Sequence, residues 1–156
     1  MRDSLPVADT TICARPALSR IPTKYVVNAA FEHLVRWIDA DIQPPTAPRI
    51  EVTAPPVKVR RDAYGNALGG IQLPQHAVPT ATNTGANSGD GFCFLFGSHQ
   101  PFDQATLQSL YRNHGAYVNQ VVRKTNENRA AGYILAPDAV EIKEAAAQSD
   151  IGHWRR

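Results

Sequence analysis

Apolar residues recur at helical spacing in the first third of the chain and form one continuous face. The residues of this face are Val27, Ala30, Phe31, Leu34 and Ile38. Thr23 can cap a helix that begins there, and Pro44 and Pro45 must follow its end, because proline lacks the amide donor and restricts the residue before it. The pattern predicts a helix over 23–40 that buries Val27, Phe31, Leu34 and Ile38.

The middle of the chain, 43–102, combines proline-rich and glycine-rich loops with short apolar runs. Residues 57–60 alternate apolar and polar side chains, which indicates a half-buried strand. Ile71 and Leu73 indicate a second short strand, which ends before Pro74. This part of the chain is therefore predicted to hold a few short strands and no long helix.

Two further stretches of the middle region carry their own predictions. Residues 75–91 are rich in Thr, Asn, Gly and Ser, a composition typical of an irregular loop. The run 92–96 is entirely apolar and favours a buried strand or a plug of the core. Residues 1–22, by contrast, show no periodicity and are interpreted as an extended lead-in.

Helix start and stop signals dominate the last third, 103–149. The residues that carry them are Asp103, Asn113, Gly132 and Pro137. The two polar residues can cap helices, the glycine can end one, and the proline suits a first helical turn. We expect a short helix to about Leu110, a longer one that ends at the glycine, and a final one to about Gln148.

Composition and charge narrow the class of protein. The 156 residues fit one domain, 43% are apolar, and the formal net charge is only +2. So small a charge does not predict nucleic acid or an anionic membrane as a partner. No stretch reaches the roughly 18 apolar residues of a membrane helix. Arg2 is followed by no apolar signal-peptide core, so no signal peptide is predicted. The localisation of the protein stays open.

The motifs of serine hydrolases are absent from this sequence. G-x-S-x-G holds a nucleophile on a tight strand-to-helix turn, and no such motif occurs. Ser88 stands one place late in the segment from Gly85 to Gly89, and no strand and helix flank it. We interpret Ser88 as a loop residue and assign no catalytic nucleophile.

Histidines are candidate catalytic bases in a hydrolase. The five in the chain are His33, His76, His99, His114 and His153. His33 is typical of a satisfied boundary residue, His76 and His114 are predicted to be exposed beside turns, and His153 lies in a terminal tail. His99 alone lies in a loop after an apolar run, but the sequence places no carboxylate beside it. No histidine is assigned a catalytic role.

Metal and cofactor motifs are likewise missing, and none is predicted. Cys13 and Cys93 form no C-x-x-C and are interpreted as small buried residues. Asp138, Glu141 and Glu144 are predicted to form a solvated helix face. The basic spot of Lys58, Arg60 and Arg61 is predicted to be a solvated strand end, and Gly65, Gly69 and Gly70 a tight turn rather than a phosphate-binding loop.

Several segments in order resemble one known family. They are 25–37, 44–50, 61–74, 78–85, 92–98 and 101–102, and the resemblance extends through Tyr117, Gly132 and Pro137. Together they are similar to the C-terminal third of large bacterial proteins that contain an α/β-hydrolase domain. The chain departs from that pattern at Gln72, where the family tends to have arginine, so a shared polar contact there is not carried over.

The resemblance implies a fold and a function. It implies that 1–156 is the C-terminal region of an α/β-hydrolase domain, with the helix 23–40 covering the sheet. The family's nucleophile would precede residue 1 and its histidine would precede Cys13, so no catalytic residue is carried over. The expected function is a segment of an esterase-like hydrolase that is inactive without the N-terminal part of the enzyme. The alternative is a non-enzymatic interaction subunit that completes a partner's fold.

Two more expectations come from the same resemblance. The family has a cysteine near each cysteine position, which implies that Cys13 and Cys93 approach each other and pair. A truncated chain would also leave part of the apolar helix face without its sheet. An exposed face of that kind predicts self-association.

Overall fold

The protein is described here by a computed structural model, which covers residues 13–16 and 18–154. The described residues form six helices and one two-stranded sheet, an α/β composition. In chain order these elements are α1 (Lys24–Ala40), α2 (Pro74–Ala77), β1 (Ala81–Thr84), α3 (Cys93–Phe96), β2 (Ser98–Pro101), α4 (Gln104–Leu110), α5 (His114–Ala130) and α6 (Ala136–Ala147). Much of the predicted lead-in lies outside the described residues.

The helices of the last third begin and end where local signals place them. The Asp103 carboxylate accepts a hydrogen bond from the Thr106 amide at 2.8 Å, and the Asn113 side chain accepts one from the Ala116 amide. Gly132, which follows α5, has a φ of +78°, a conformation that glycine adopts without steric cost. These caps satisfy backbone groups that the helices cannot pair themselves.

The middle region holds more regular structure than its composition predicted. The segment 75–91, predicted to be loop, contains most of α2 and all of β1. Its strand pairs antiparallel with β2, from Ala81 opposite Pro101 to Thr84 opposite Ser98. The loop prediction failed because pairing with a distant strand stabilises a polar segment that has no apolar alternation of its own.

Two segments that were predicted to be strands do not form strands in the structure. In 57–60 only Val59 forms an isolated bridge, with Val52. Leu73 is the extended N-cap of α2 rather than part of a strand. Residues 57–60 still make backbone hydrogen bonds with Glu51, Thr53 and Leu68, but the pairing is too short to form a strand.

The apolar run 92–96 is neither a buried strand nor a plug of the core. It forms the short helix α3, in which Cys93 is buried while Phe94 and Leu95 are 62% and 66% exposed. Cys93 is covalently bonded to Cys13, as the family resemblance implied. The disulfide, rather than apolar burial, joins this turn of helix to the start of the described chain.

The hydrophobic core lies around α5 and α6. Its buried members are Tyr25, Leu73, Val78, Tyr111, Val121, Ile134, Ala139, Ile142 and Ala146. Trp154 packs against this cluster, and its indole N–H donates to the Tyr111 carbonyl at 3.0 Å. The loop before α2, the short α2 and the C-terminal segment therefore all pack against the same pair of helices.

Helix α1 contributes little of its apolar surface to that core. Its buried residues are Tyr25 and Ala29, which lie nearly opposite the predicted apolar face. On that face Val27 is 48% exposed, Phe31 65% and Ile38 74%. The predicted helix bounds are correct, but the predicted burial of Val27, Phe31, Leu34 and Ile38 is wrong in this chain, because no described element covers them.

Candidate functional site

Within the described chain, a serine and a histidine are adjacent in sequence only at Ser98 and His99. Both lie in β2, in the hairpin that β1 and β2 form. Nδ1 of His99 is 2.9 Å from Oδ1 of Asn83. The backbone N–H of Asn83 donates to Oδ1 of Asn66 at 2.8 Å, and the Asn66 side-chain amide donates to the Ala81 carbonyl. These bonds hold the backbone of β1 at Asn83, whose side chain contacts the imidazole of His99.

The hydrogen bond to Asn83 sets the tautomer of His99. The amide oxygen of Asn83 also accepts the backbone N–H of Arg20, so it acts as an acceptor and Nδ1 of His99 must donate. Burial lowers the pKa of His99, and the positive charge of Arg20 lowers it further. The ring is therefore neutral at pH 7, with a lone pair on Nε2. An imidazole of this kind can accept a proton, as a general base does.

No serine in the described part of the chain is hydrogen-bonded to that base. Ser98 is buried, and its hydroxyl is 2.8 Å from the hydroxyl of Thr84. It precedes His99 on one strand, so the two side chains point to opposite faces of the hairpin. Ser88 is exposed in a turn that Asn87 holds by accepting its N–H. Among the described residues, no serine and histidine side chains share a hydrogen bond.

Two of the remaining histidines bond to backbone carbonyls, a third stacks on one of these two, and the fourth lies at a cavity. His33 bonds to the Gly132 carbonyl at 2.8 Å, as expected of a satisfied boundary histidine. His114, predicted to be exposed, is half-buried and bonds to the Ile151 carbonyl. His153 stacks on it with ring centroids 4.1 Å apart. The exposure prediction failed because the last described residues fold back onto the start of α5.

His76 was also predicted to be exposed, and it is half-buried. It lies in α2 and lines a cavity together with Asp62 and Gln120. Sequence reasoning missed this grouping, because it depends on how α2 packs against α5. The one local signal was Pro74, which can begin a helix.

The carboxylates of α6 differ from one another, although all three were predicted to be solvated. Glu141 is exposed and pairs with Lys24 at 2.8 Å. Asp138 is only 7% exposed and accepts from Asn28 at 3.1 Å and from the Leu135 amide at 3.4 Å. The prediction is wrong for Asp138, whose side chain caps the helix and ties it to α1.

The described residues include no cluster of three or more His, Cys, Asp or Glu side chains placed to hold a metal ion. The glycines Gly65 and Gly69 have φ of +82° and +71°, values that favour glycine. A Cβ at Gly69 would collide with the Arg49 carbonyl. Gly65 lies in a turn, as predicted, where its N–H donates to the Asp62 carbonyl. Gly69 instead allows two backbone segments to pack closely, in a bridge with Ile50.

No helix in the described part of the chain is long and apolar enough to cross a membrane. A family model described as "Alpha/beta hydrolase domain" matches residues 2–144. No curated protein and no solved structure matches the chain. Since the matched segment is far more than half of the sequence, and the residues that first suggested the resemblance fall within it, the chain belongs to the alpha/beta hydrolase domain family.

Proposed function

We propose that this chain is the C-terminal part of an esterase-like α/β hydrolase and that the nucleophile and base come from the preceding part of the enzyme. Acyl transfer needs an activated nucleophile, a base within hydrogen-bond reach and donors for the oxyanion. In the described chain His99 has the orientation of a base but no nucleophile beside it. Membership of the alpha/beta hydrolase domain family supports a hydrolase reaction, and the lack of a nucleophile beside His99 in the described residues supports a nucleophile from another segment.

One observation carries this proposal: the exposed apolar surface of α1, which we call the bare face. It consists of Val27, Phe31, Leu34, Val35 and Ile38. These residues lie at positions i, i+4, i+7, i+8 and i+11, so they form one stripe along the helix. A stripe of this width normally covers another layer of secondary structure.

The large apolar area of the bare face favours another protein segment as its binding partner. Full burial of one large aliphatic or aromatic side chain contributes about 1.5–3 kcal/mol. Five side chains that are each 46–74% exposed therefore leave a large association energy unused. In the proposed enzyme, the sheet that carries the nucleophile covers this face. The isolated chain should instead associate with itself.

The test is to assemble the enzyme from two parts. We expect the purified chain alone to show no turnover of p-nitrophenyl acetate and no labelling by a fluorophosphonate probe. Co-expression with the preceding part of the hydrolase should yield a complex with a labelled serine in that preceding part. Stoichiometric labelling of Ser88 or Ser98 in the isolated chain, with turnover lost in the alanine variant, would overturn the proposal.

Variants of the bare face connect the surface with the function. The double change Phe31→Asp and Ile38→Asp should abolish both assembly and turnover, because it places two charges in the proposed interface. Val140→Asp is the matched control, since Val140 is 53% exposed but lies on α6. An assembled complex without esterase activity would favour the alternative of a non-enzymatic interaction subunit.

A further inference from the structure

A cavity of about 310 Å³ lies between the loop after Asp62, helix α2 and the C-terminal end of α4. Its volume is at the lower end of the ~300–1,000 Å³ range of small-molecule sites. Side chains from four parts of the chain converge on it, among them Tyr64, His76, Tyr111 and Gln120. The space fits one aromatic ring with a short substituent.

Two polar side chains at this cavity have no protein partner. Within the described part of the chain, neither the imidazole of His76 nor the carboxamide of Gln120 makes a hydrogen bond, although both are half-buried. The other polar groups nearby are already used. Oδ1 of Asp62 accepts two backbone N–H groups, and the Tyr111 hydroxyl donates to the Pro79 carbonyl at 2.8 Å. Half-buried polar groups of this kind need a partner, either water or a ligand.

The electrostatics of the cavity favour a neutral partner. Burial lowers the pKa of His76, while the charge of Asp62 raises it and that of Arg61 lowers it. The ring is therefore neutral at pH 7, with one N–H donor and one lone pair. The Asp62 carboxylate lines the cavity, but Oδ1 already accepts two backbone N–H groups and the charge of Arg61 opposes it, so the attraction for a cation is weakened and an anion gains nothing.

Apolar and aromatic residues line the cavity beside these groups. They are Tyr64, Leu68, Pro79, Leu110 and Tyr111. An aromatic ligand buries well against residues of this kind. A small-molecule site usually combines such a lining with a small number of polar groups.

We propose that this cavity binds a small neutral aromatic alcohol. The hydroxyl donates to the imidazole lone pair of His76 and accepts from the Gln120 amide, and the ring packs against the apolar and aromatic residues of the lining. The inference stands on the cavity alone and does not depend on the proposed function. A ligand of this class would therefore bind the isolated chain whether or not the chain takes part in ester hydrolysis.

Calorimetric titration of the full chain with benzyl alcohol, benzylamine and benzoate tests the charge preference. The three probes have nearly the same shape and differ in charge at pH 7. We expect benzyl alcohol to bind at least about fivefold more tightly than the other two, the equivalent of one hydrogen bond. Equal or tighter binding of a charged probe, or no heat from the alcohol up to its solubility limit, would overturn the proposal.

Two variants locate the site. His76→Phe keeps a ring but removes both nitrogens, and Gln120→Leu removes the carboxamide. Each should weaken benzyl alcohol binding by at least about fivefold. Gln108→Leu, at an exposed position on α4, is the matched control and should leave binding unchanged.

A spectroscopic readout separates binding at the cavity from binding elsewhere. In chain labelled with ¹⁵N-histidine, benzyl alcohol should shift the His76 ring resonances and leave those of His33 in place. Shifts of His33 alone, or unchanged affinity in a folded Gln120→Leu chain, would contradict the assignment. Because the Gln120 variant alters a helix surface rather than the short α2, it decides the question even if His76→Phe does not fold.

Discussion

Helices α1 and α5 each have 17 residues, yet they make opposite use of their apolar side chains. Helix α5 packs against α6, and Val121 and Ile142 are 4% and 1% exposed. Helix α1 buries Tyr25 and Ala29 but leaves its bare face open. Helix α1 thus has the stronger amphipathic pattern, but no described part of the chain covers its apolar face.

The difference teaches that an amphipathic stripe predicts burial without identifying the partner. The last third provides its own core, because α5 and α6 cover each other and Trp154 closes the end. The part before α2 depends on other devices, namely the disulfide of Cys13 with Cys93 and polar ties such as Asn28 to Asp138. Stability should therefore respond differently to changes in the two regions.

The largest effect should come from opening the disulfide. It closes a loop with a sequence separation of 80 residues. In the chain-entropy model a loop of this size contributes about 4 kcal/mol to the free energy of unfolding. We expect dithiothreitol to lower the urea midpoint of the native chain and to leave a Cys13→Ser, Cys93→Ser double variant unchanged. Equal midpoints with and without reductant would mean that the core alone stabilises the fold.

The second effect compares two isoleucines directly. Ile142→Ala should cost about 3 kcal/mol, since it leaves a cavity in the core. In a solution dilute enough to keep the chain monomeric, Ile38→Ala should change its stability by no more than about 0.5 kcal/mol, because that side chain is 74% exposed. Urea denaturation measures both. A large cost at Ile38 would show that the bare face is covered in solution, for example by a second copy of the chain.

The features that could be predicted from the sequence are those with local causes. Asp103, Asn113 and Gly132 act within one turn of helix, and each does what its position indicated. The bounds of α1 followed from Pro44 and the apolar period for the same reason. The pairing of Cys13 with Cys93 was not a local inference, since it rested on family resemblance alone.

The features that failed have distant causes. Strand β1 is polar, and its buried Asn83 and Thr84 are satisfied by Asn66 and Ser98, which no short window contains. The run 92–96 is apolar at every position, so its periodicity could not distinguish strand from helix. The grouping of His76 with Gln120 at one cavity likewise exists only after α2 packs on α5.

A smaller effect on stability should distinguish the N-terminal caps of α1 and α5. The Asn113 side chain accepts from the Ala116 amide at 2.8 Å, whereas Thr23 makes no side-chain cap bond at α1. Asn113→Ala should therefore cost about 1 kcal/mol, the usual value of an N-cap, and Thr23→Ala almost nothing. Thermal unfolding followed by circular dichroism gives both values. Equal costs would show that a cap bond absent from the structure forms at α1 in solution.

The smallest effect concerns the ion pair that connects α1 to α6. Hydrogen bonds from Lys24, and secondarily from Tyr25, hold the pKa of Glu141 below its ordinary value. A carboxyl whose pKa is lowered by folding stabilises the protein above its unfolded pKa, and that contribution is lost as the pH falls through the folded pKa. Because both partners are about half exposed, the pair should contribute only a few tenths of a kcal/mol.

Glu141→Gln should therefore lower the urea midpoint slightly at pH 7 and not at pH 2. The difference should shrink in 1 M salt, where charges are screened over ~3 Å. The matched variant Glu144→Gln, also exposed on α6 but outside the ion pair, is the control and should leave the urea midpoint unchanged. If the two variants behave alike, α1 is held against α6 by Asn28 and Asp138 rather than by charge.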